Sequence, residues 1–409
     1  MSLPRSTFEA DSRQLVRGEV RHCSLSKSPS MQEFDRLLWT KLALVLALAW
    51  ILIRMRKSWL PGRDCPPAPL FRGLPRFGYE SPLFTMLLML LFAIAVGVHP
   101  TIPMLVFTTL VVIGCTLDLT RARPYLYQYT VMLVAIVFCA PADALGICRL
   151  IPACIYFWSG VLKLNTQFLS LGYPWVIEAL SKRLPPSLAA LLARLAPTIP
   201  VVEALLGLGL IFPATRTASL IGVVAMHAFI MLCFSPLGHR SHGEVIPWNL
   251  SMLATNLILF TDSAQASAKS ILVGDASLLH LAVLLVFAGL PLLGLFNKID
   301  PFFSHAHMAG RHPIARLYLS CALYSRLPQS IQAHCDRLDE ANLYTLFLPT
   351  WYLQELEVPP PHWARAAKSI ARDFAKYGAS ENDLQLMVFW LNGLYNLEWQ
   401  NRTYRWSEL

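Results

Sequence analysis

Long apolar stretches, broken by short polar or basic connections, dominate the pattern along the chain. The stretches 82–117, 124–141, 151–162 and 245–261 contain no Asp, Glu, Lys or Arg, and further apolar blocks fall at 37–55, 200–212, 218–234 and 278–295. Near-continuous apolarity of this kind marks helices that face lipid or one another, and ~20 residues make one crossing of a bilayer. The pattern predicts an all-α polytopic membrane protein, a bundle of about eight or nine transmembrane helices over 37–297. The block 82–117 is split at His99-Pro100 and Pro103, which predicts a helical hairpin there, because proline cannot continue a helix but readily starts one. The segment 181–197 sets Lys182, Arg183 and Arg194 among leucines, the pattern of an amphipathic helix lying along a membrane surface.

The flanks read differently. Residues 1–36 mix charges with Ser24, Ser26, Ser28 and Ser30 and have no apolar core, which predicts a disordered N-terminal lead. After residue 297 charge, His, Asn and Gln return. The stretch 298–409 is expected to form a water-facing, mainly helical tail, with helical spacing at 316–337, 351–357 and 362–377. The segments 384–391 and 403–406, with Asn392-Gly393 after the first, could close a short terminal hairpin.

Composition sharpens this picture. Hydrophobic residues make up 55% of the chain and charged ones only 14%, against ~25% charged in an ordinary soluble domain, which excludes the soluble single-domain classes. The formal charge of +9 would suggest nucleic acid in a soluble chain. Here the basic residues flank apolar blocks, as in Arg54, Arg56, Lys57, Arg63, Arg72 and Arg76, or sit in the tail. Membrane lipids with anionic headgroups are therefore the expected partners, and no nucleic acid. Nine cysteines without a CxxC pair signal neither a disulfide framework nor a zinc site.

The informative residues are the few polar ones inside apolar blocks, because each is costly in hydrocarbon unless paired or lining a cavity. Lys163 ends one block, Glu203 opens the next, Arg216 precedes another, and His227 lies in the middle of 218–234. Lys163 reads either as a residue snorkelling from a helix end or, if enclosed, as a general base. Ser159 and Gly160, one turn earlier, would let a neighbouring helix approach and enclose it. Glu203 and Arg216 are candidates for an ion pair between adjacent segments. His227 is a packing residue or a proton relay. The loop His239-Arg-Ser-His242-Gly-Glu244 and the pair His305 and His307 carry residue types that can bind zinc or iron; the spacing is too sparse for a di-iron or zinc set, and no metal is expected. Asn249-Leu-Ser251 and Asn401-Arg-Thr403 match the glycosylation acceptor pattern.

The segment 156–180 resembles the vitamin K-dependent gamma-glutamyl carboxylases and the bacterial proteins sharing their horizontally transferred transmembrane (HTTM) domain. The family's run of an aromatic pair, small residue and glycine, Lys-Leu-Asn, an aromatic and Glu-x-Leu stands here as Tyr156-Phe157, Ser159-Gly160, Lys163-Leu164-Asn165, Phe168 and Glu178-Ala-Leu180. By this match Lys163 falls on the family's essential lysine. Glu203, Arg216 and His227, followed by Ile246-Pro247-Trp248, follow the family's order of an acidic residue, a helix led by Arg, a His and a returning segment. A weaker match is Asp300-Pro-Phe-Phe-Ser304, Ala309-Gly310 and 351–361 in the tail, and the match is best over 118–297. The chain departs from the family at Ala122-Arg123-Pro124, where the carboxylases carry Asn-His, and in lacking a match to their large lumenal domain.

The resemblance implies an integral, multi-pass membrane enzyme of a bacterial inner membrane or an endomembrane. It would use a reduced quinone of the vitamin K or menaquinone type, with oxygen and carbon dioxide as co-substrates. Lys163 would take a proton from the quinol, oxygen would convert it into a strong base, and that base would remove a C–H proton, with carboxylation as the outcome. His227 would steer the charged intermediate, and Tyr156, Ser159, Gly160, Asn165, Glu203, Arg216, Arg123 and Trp248 would line the pocket. A protein or peptide carrying Glu would be the substrate. A non-enzymatic membrane scaffold, or a quinone- or lipid-binding subunit of a redox complex, is the alternative.

Overall fold

In the computed structural model, residues 31–71, 78–97, 100–239, 243–261, 266–274, 277–306, 309, 313–362, 364–391 and 398–409 are described. Helix α1 (Met31–Arg54) and the short α2 (Arg56–Trp59) lead into the hairpin α3 (Glu80–Val96) and α4 (Thr101–Leu117). They are followed by α5 (Pro124–Phe138), α6 (Pro141–Lys163), α7 (Tyr173–Ser181), α8 (Pro186–Arg194), α9 (Thr198–Ile211), α10 (Pro213–Phe234) and α11 (Val245–Phe260). The short α12 (Ala268–Leu272) and α13 (Leu278–Leu284) close the helical part, and α13 runs on through π and 3-10 turns to Phe296. Proline stands in the first turn of α5, α6, α8 and α10, where its missing N–H has no intrahelical partner to lose.

Helix α6 is the axis of the bundle, with all but a few of its residues buried. It packs most closely against α9, and the sequence makes that approach through glycine. A Cβ on Gly160 would strike the backbone of Pro200 and Ala204, and one on Gly207 would strike the backbone of Ala153 and Phe157. The pairing 160 with 204 and 153 or 157 with 207 fixes the two helices as antiparallel.

Among the described residues, four helices are long and apolar enough to cross a membrane: Met31–Arg54, Pro141–Lys163, Pro213–Phe234 and Leu278–Phe296. The pair Pro186–Arg194 and Thr198–Ile211, bent by 58°, makes a fifth if counted as one span. The remaining apolar helices of the eight or nine expected crossings, Glu80–Val96, Thr101–Leu117, Pro124–Phe138 and Val245–Phe260, are shorter. The segment expected to lie along a membrane surface contains α8, none of whose residues is buried and whose Leu188 and Leu191 face outwards.

The structure differs from the sequence reading at both flanks. Residues 31–36 of the expected lead are the first turns of α1, with Glu33 beside the helix N-terminus, where a carboxylate is favoured by the dipole; residues 1–30 lie outside the described residues. The tail, expected to be mainly helical with a terminal hairpin, also carries a five-stranded antiparallel sheet set among its helices. Its strands β1 (Ile314–Ser320), β2 (Cys335–Leu338), β3 (Leu343–Phe347), β4 (Leu384–Leu391) and β5 (Trp399–Tyr404) lie in the order β2-β3-β1-β4-β5. Ala315, Leu317 and Leu319 alternate into its core, the period-2 pattern of a strand with one covered face. Between these strands lie α14 (Cys321–Arg326), α15 (Gln329–Gln332), α16 (Leu348–Leu356) and α17 (Ala364–Arg372). Strands β4 and β5 pair at the C-terminal end, Leu391 opposite Trp399, while Asn392 and Gly393 lie outside the described residues.

The tail docks on one end of the bundle. Tyr352 donates to Pro66 O at 2.6 Å, and Glu355 accepts from the backbone N–H groups of Asp64 and, at 2.9 Å, Cys65. Arg54 and Lys57 face Glu357 at 3.6 and 3.5 Å, and Arg63 is bonded to Asp118. These three basic residues, expected to meet lipid headgroups, therefore have protein carboxylates as counterions; Arg72 and Arg76 lie outside the described residues.

Candidate functional site

The C-terminal half of α6 presents Tyr156, Ser159, Gly160 and Lys163, spaced i, i+3, i+4 and i+7, so they share one face of the helix. Lys163 is no snorkelling residue. It is 9% exposed, and its ammonium donates to both Glu203 oxygens, at 2.7 and 2.9 Å, and to Ser159 Oγ at 2.9 Å. The ring of Phe168 lies 5.8 Å from Nζ. Glu203 reaches Lys163 because the glycine contacts draw α9 onto α6, and both side chains are nearly shut off from solvent.

Just beyond Lys163 the helix is stopped by Asn165. Its amide donates to Leu162 O at 2.8 Å and to Ala309 O at 3.1 Å, while its Oδ1 accepts from Phe168 N at 2.9 Å. One of the last carbonyls of α6 and one N–H of the following turn are thus satisfied by the same side chain. A π-helical turn, Phe168–Gly172, follows. Asn165 therefore sets where α6 ends and so how far Lys163 stands from Glu203.

Two turns deeper, Tyr156 and His227 are joined by a 2.6 Å bond between the phenol and Nε2. The other ring nitrogen meets Asn249 Oδ1 at 2.7 Å, and Asn256 donates to the Tyr156 hydroxyl at 2.7 Å. All four side chains are buried. Sequence reasoning missed Asn249 and Asn256; they lie seven residues apart on one face of α11, a largely apolar helix, and that spacing was the available signal. Asn249, read as part of a glycosylation pattern, has its side chain inside the bundle.

The other candidates stand apart. Arg216 is at the opposite end of α9 from Glu203, where it donates to Leu210 O, Ile211 O and Ala266 O at 2.8–3.0 Å. The expected Glu203–Arg216 ion pair is thus replaced by Glu203–Lys163, because Arg216 lies at the level of Leu210 and Ile211, while the α6–α9 contact brings Lys163 beside Glu203. Trp248 packs edge-on to Tyr125, ring centroids 6.1 Å apart. Arg123 caps α5 at the junction with the tail, donating to Pro359 O at 2.6 Å with its guanidinium 4.6 Å from the Phe302 ring. In the loop 239–244, His239 meets Trp175 O at 2.6 Å, and Glu244 accepts from Tyr125 at 3.0 Å. His242 and His307 lie outside the described residues, among which no group of three or more His, Cys, Asp or Glu is arranged to hold a metal ion.

The chain matches no protein-family model, no curated protein and no solved structure.

At the tail junction Asp300 is 4% exposed. Burial pushes its carboxyl up to about 6, although the Phe302 N–H and the Arg123 guanidinium oppose the shift. A raised carboxyl keeps its proton in the folded state after the unfolded chain, at ~3.9, has lost it. The folded state then holds more protons through this window, so stability falls as pH rises from about 4 to about 6. Asp300→Asn is expected to melt at a higher temperature than the wild type at pH 7 and alongside it at pH 4. Melting curves at both values check this, and a gap of equal size at each pH would contradict it.

Proposed function

We propose that the chain is a multi-pass membrane enzyme in which Lys163, paired with Glu203, removes a proton from a bound substrate. On this reading the shorter apolar helices also cross the membrane, giving the eight or nine spans. The observation that carries it is the ion pair itself. A lysine and a glutamate buried together between apolar helices are expensive, and nothing in the packing of α6 on α9 requires a charge there. The pair also has the chemistry of a base. Transfer of the ammonium proton to Glu203 would leave an amine whose lone pair can take a proton from a substrate. Exclusion of water by the α6–α9 contact protects the amine and the anion it generates.

The resemblance to the gamma-glutamyl carboxylases supplies the substrate class: a reduced quinone of the vitamin K or menaquinone type, with oxygen and carbon dioxide, acting on a protein or peptide that carries Glu. A bound quinol would supply, with oxygen, a base strong enough for an unactivated C–H bond. Lys163 would accept the quinol proton, Ser159 and Glu203 would orient the amine, and Asn165 would hold the end of α6.

The test is oxygen uptake by the purified protein in lipid nanodiscs with reduced menaquinone or vitamin K. Quinol-dependent uptake that disappears in Lys163→Ala is expected; equal turnover in the variant would sink the proposal. A second reading, a scaffold or a quinone- or lipid-binding subunit, is favoured by one observation. Arg123, standing where the carboxylases carry a histidine, is engaged in docking the tail through Pro359. Absence of uptake from both proteins would favour it.

A further inference from the structure

Tyr156 and His227 form a second pair whose proton positions are fixed by their neighbours. Asn249 gives its amide N–H to Val245 O, four residues back, at 2.7 Å. That leaves its Oδ1 facing the imidazole at 2.7 Å, and an amide oxygen only accepts, so Nδ1 of His227 carries the hydrogen. In the neutral ring Nε2 is then an acceptor, and the phenol 2.6 Å away donates to it. Asn256 repeats the device. It gives its amide N–H to Met252 O and to the phenolic oxygen, both at 2.7 Å. The bonds therefore run in one direction, Asn256 to Tyr156 to His227 to Asn249.

This direction has a chemical consequence. If the phenolic proton moves to Nε2, the amide of Asn256 donates to the phenolate and Asn249 accepts from the imidazolium, so both outer partners support the charge-separated form. Asn256 also carries an independent mark of a ligand. Its Oδ1 is buried without a hydrogen-bond partner among the described residues, and an orphaned buried acceptor is costly unless something donates to it. Its amide reaches Tyr156, so that something would sit next to the phenol. Tyr156 and Lys163 are seven residues apart on α6, ~10 Å along the axis at 1.5 Å per residue, close enough to serve different groups of one bound molecule.

We propose that Tyr156 is an acid–base residue of this site and His227 its proton acceptor, acting on a neutral substrate with a removable O–H or C–H proton. The inference rests on the enzymatic reading of the Lys163 site and adds a second proton acceptor to it. In the step, the substrate's bond to hydrogen breaks and the substrate keeps the electron pair. Its proton joins the phenolic oxygen, and the phenol's own proton passes to Nε2. His227 ends as imidazolium, Tyr156 is regenerated, and no oxidant is consumed.

Two measurements on the full chain in nanodiscs test this. The first is quinol-dependent oxygen uptake, with reduced menaquinone as the probe. Tyr156→Phe and His227→Gln are each expected to lower kcat by ~10²-fold or more, with KM little changed, as for loss of a positioned acid–base group. Replacing Tyr156 by a fluorinated tyrosine, whose phenol is more acidic, is expected to move the pH–rate profile to lower pH. A profile that stays in place, or a Tyr156→Phe enzyme with full kcat, would overturn the proposal. The second is nitrogen NMR of labelled histidine, with the His227 signal identified by its loss in His227→Gln. A neutral Nδ1–H ring whose Nε2 resonance shifts in Tyr156→Phe is expected, whereas an Nε2–H ring, or no shift, would overturn the proposal. No uptake even in the wild type would instead remove the enzymatic reading on which the proposal rests, and the proposal with it, whatever the NMR gives.

Discussion

Lys163→Met is expected to destabilise the protein by about 3–5 kcal/mol, the usual cost of leaving one member of a buried ion pair without the other. Glu203 is 7% exposed, and the donor at 2.7 and 2.9 Å from its oxygens would be gone. Glu203→Leu alone should be as damaging, because it strands an ammonium. The double variant Lys163→Met/Glu203→Leu should recover most of the stability, since two apolar side chains of similar volume carry no desolvation penalty. Thermal or denaturant unfolding of the four proteins measures the coupling. Single variants as stable as the double would mean that the pair is not a buried ion pair.

Gly160→Ala is expected to destabilise as well, and its sign makes it informative. In an ordinary helix interior the change from glycine to alanine gains ~1 kcal/mol. Here the added Cβ meets backbone atoms of Pro200 and Ala204, which cannot rotate away as a side chain could, so α9 must shift outwards. A net loss of about 1–3 kcal/mol is expected, the range for overpacking, and Gly207→Ala should act the same way against Ala153 and Phe157. Because α9 carries Glu203, the displacement should also loosen the bond to Lys163 and lower any activity that depends on it. Melting of Gly160→Ala beside Gly289→Ala, whose added Cβ would meet only a side-chain carbon at ordinary contact distance, checks the argument. An unchanged or raised melting temperature for Gly160→Ala would contradict the close helix approach.

The sequence and the structure meet most closely along α6. Lys163, Ser159 and Gly160 could be singled out because one charge and a small-residue step in a run of apolar residues are conspicuous against their surroundings. Depth was another matter. Whether Lys163 reaches the surface depends on what covers it, and its covers, Glu203 and Phe168, come from elsewhere in the chain. Glu203 was assigned to Arg216 by nearness in sequence, yet a helix of this length puts the two at opposite ends, and the glycine contacts with α6 decide the partner. Asn249 and Asn256 escaped notice because an amide in an apolar helix is a weak signal until its partner is known. The tail sheet was missed for a different reason. In Ile314–Ser320 the buried residues are Ala315, Leu317 and Leu319, but Ile314 and Tyr318 on the other face blur the alternation, and short helices interrupt the strands before a period of two can build up.

The central claim is that Lys163 and Glu203 are kept for chemistry and not for stability, and the double variant separates the two. Lys163→Met/Glu203→Leu, once its melting curve has established that it is folded, can be placed in lipid nanodiscs with reduced menaquinone and its oxygen uptake compared with that of the wild type. The account expects a folded protein that consumes no oxygen beside a wild type that does. Uptake by the double variant at the wild-type rate would contradict it.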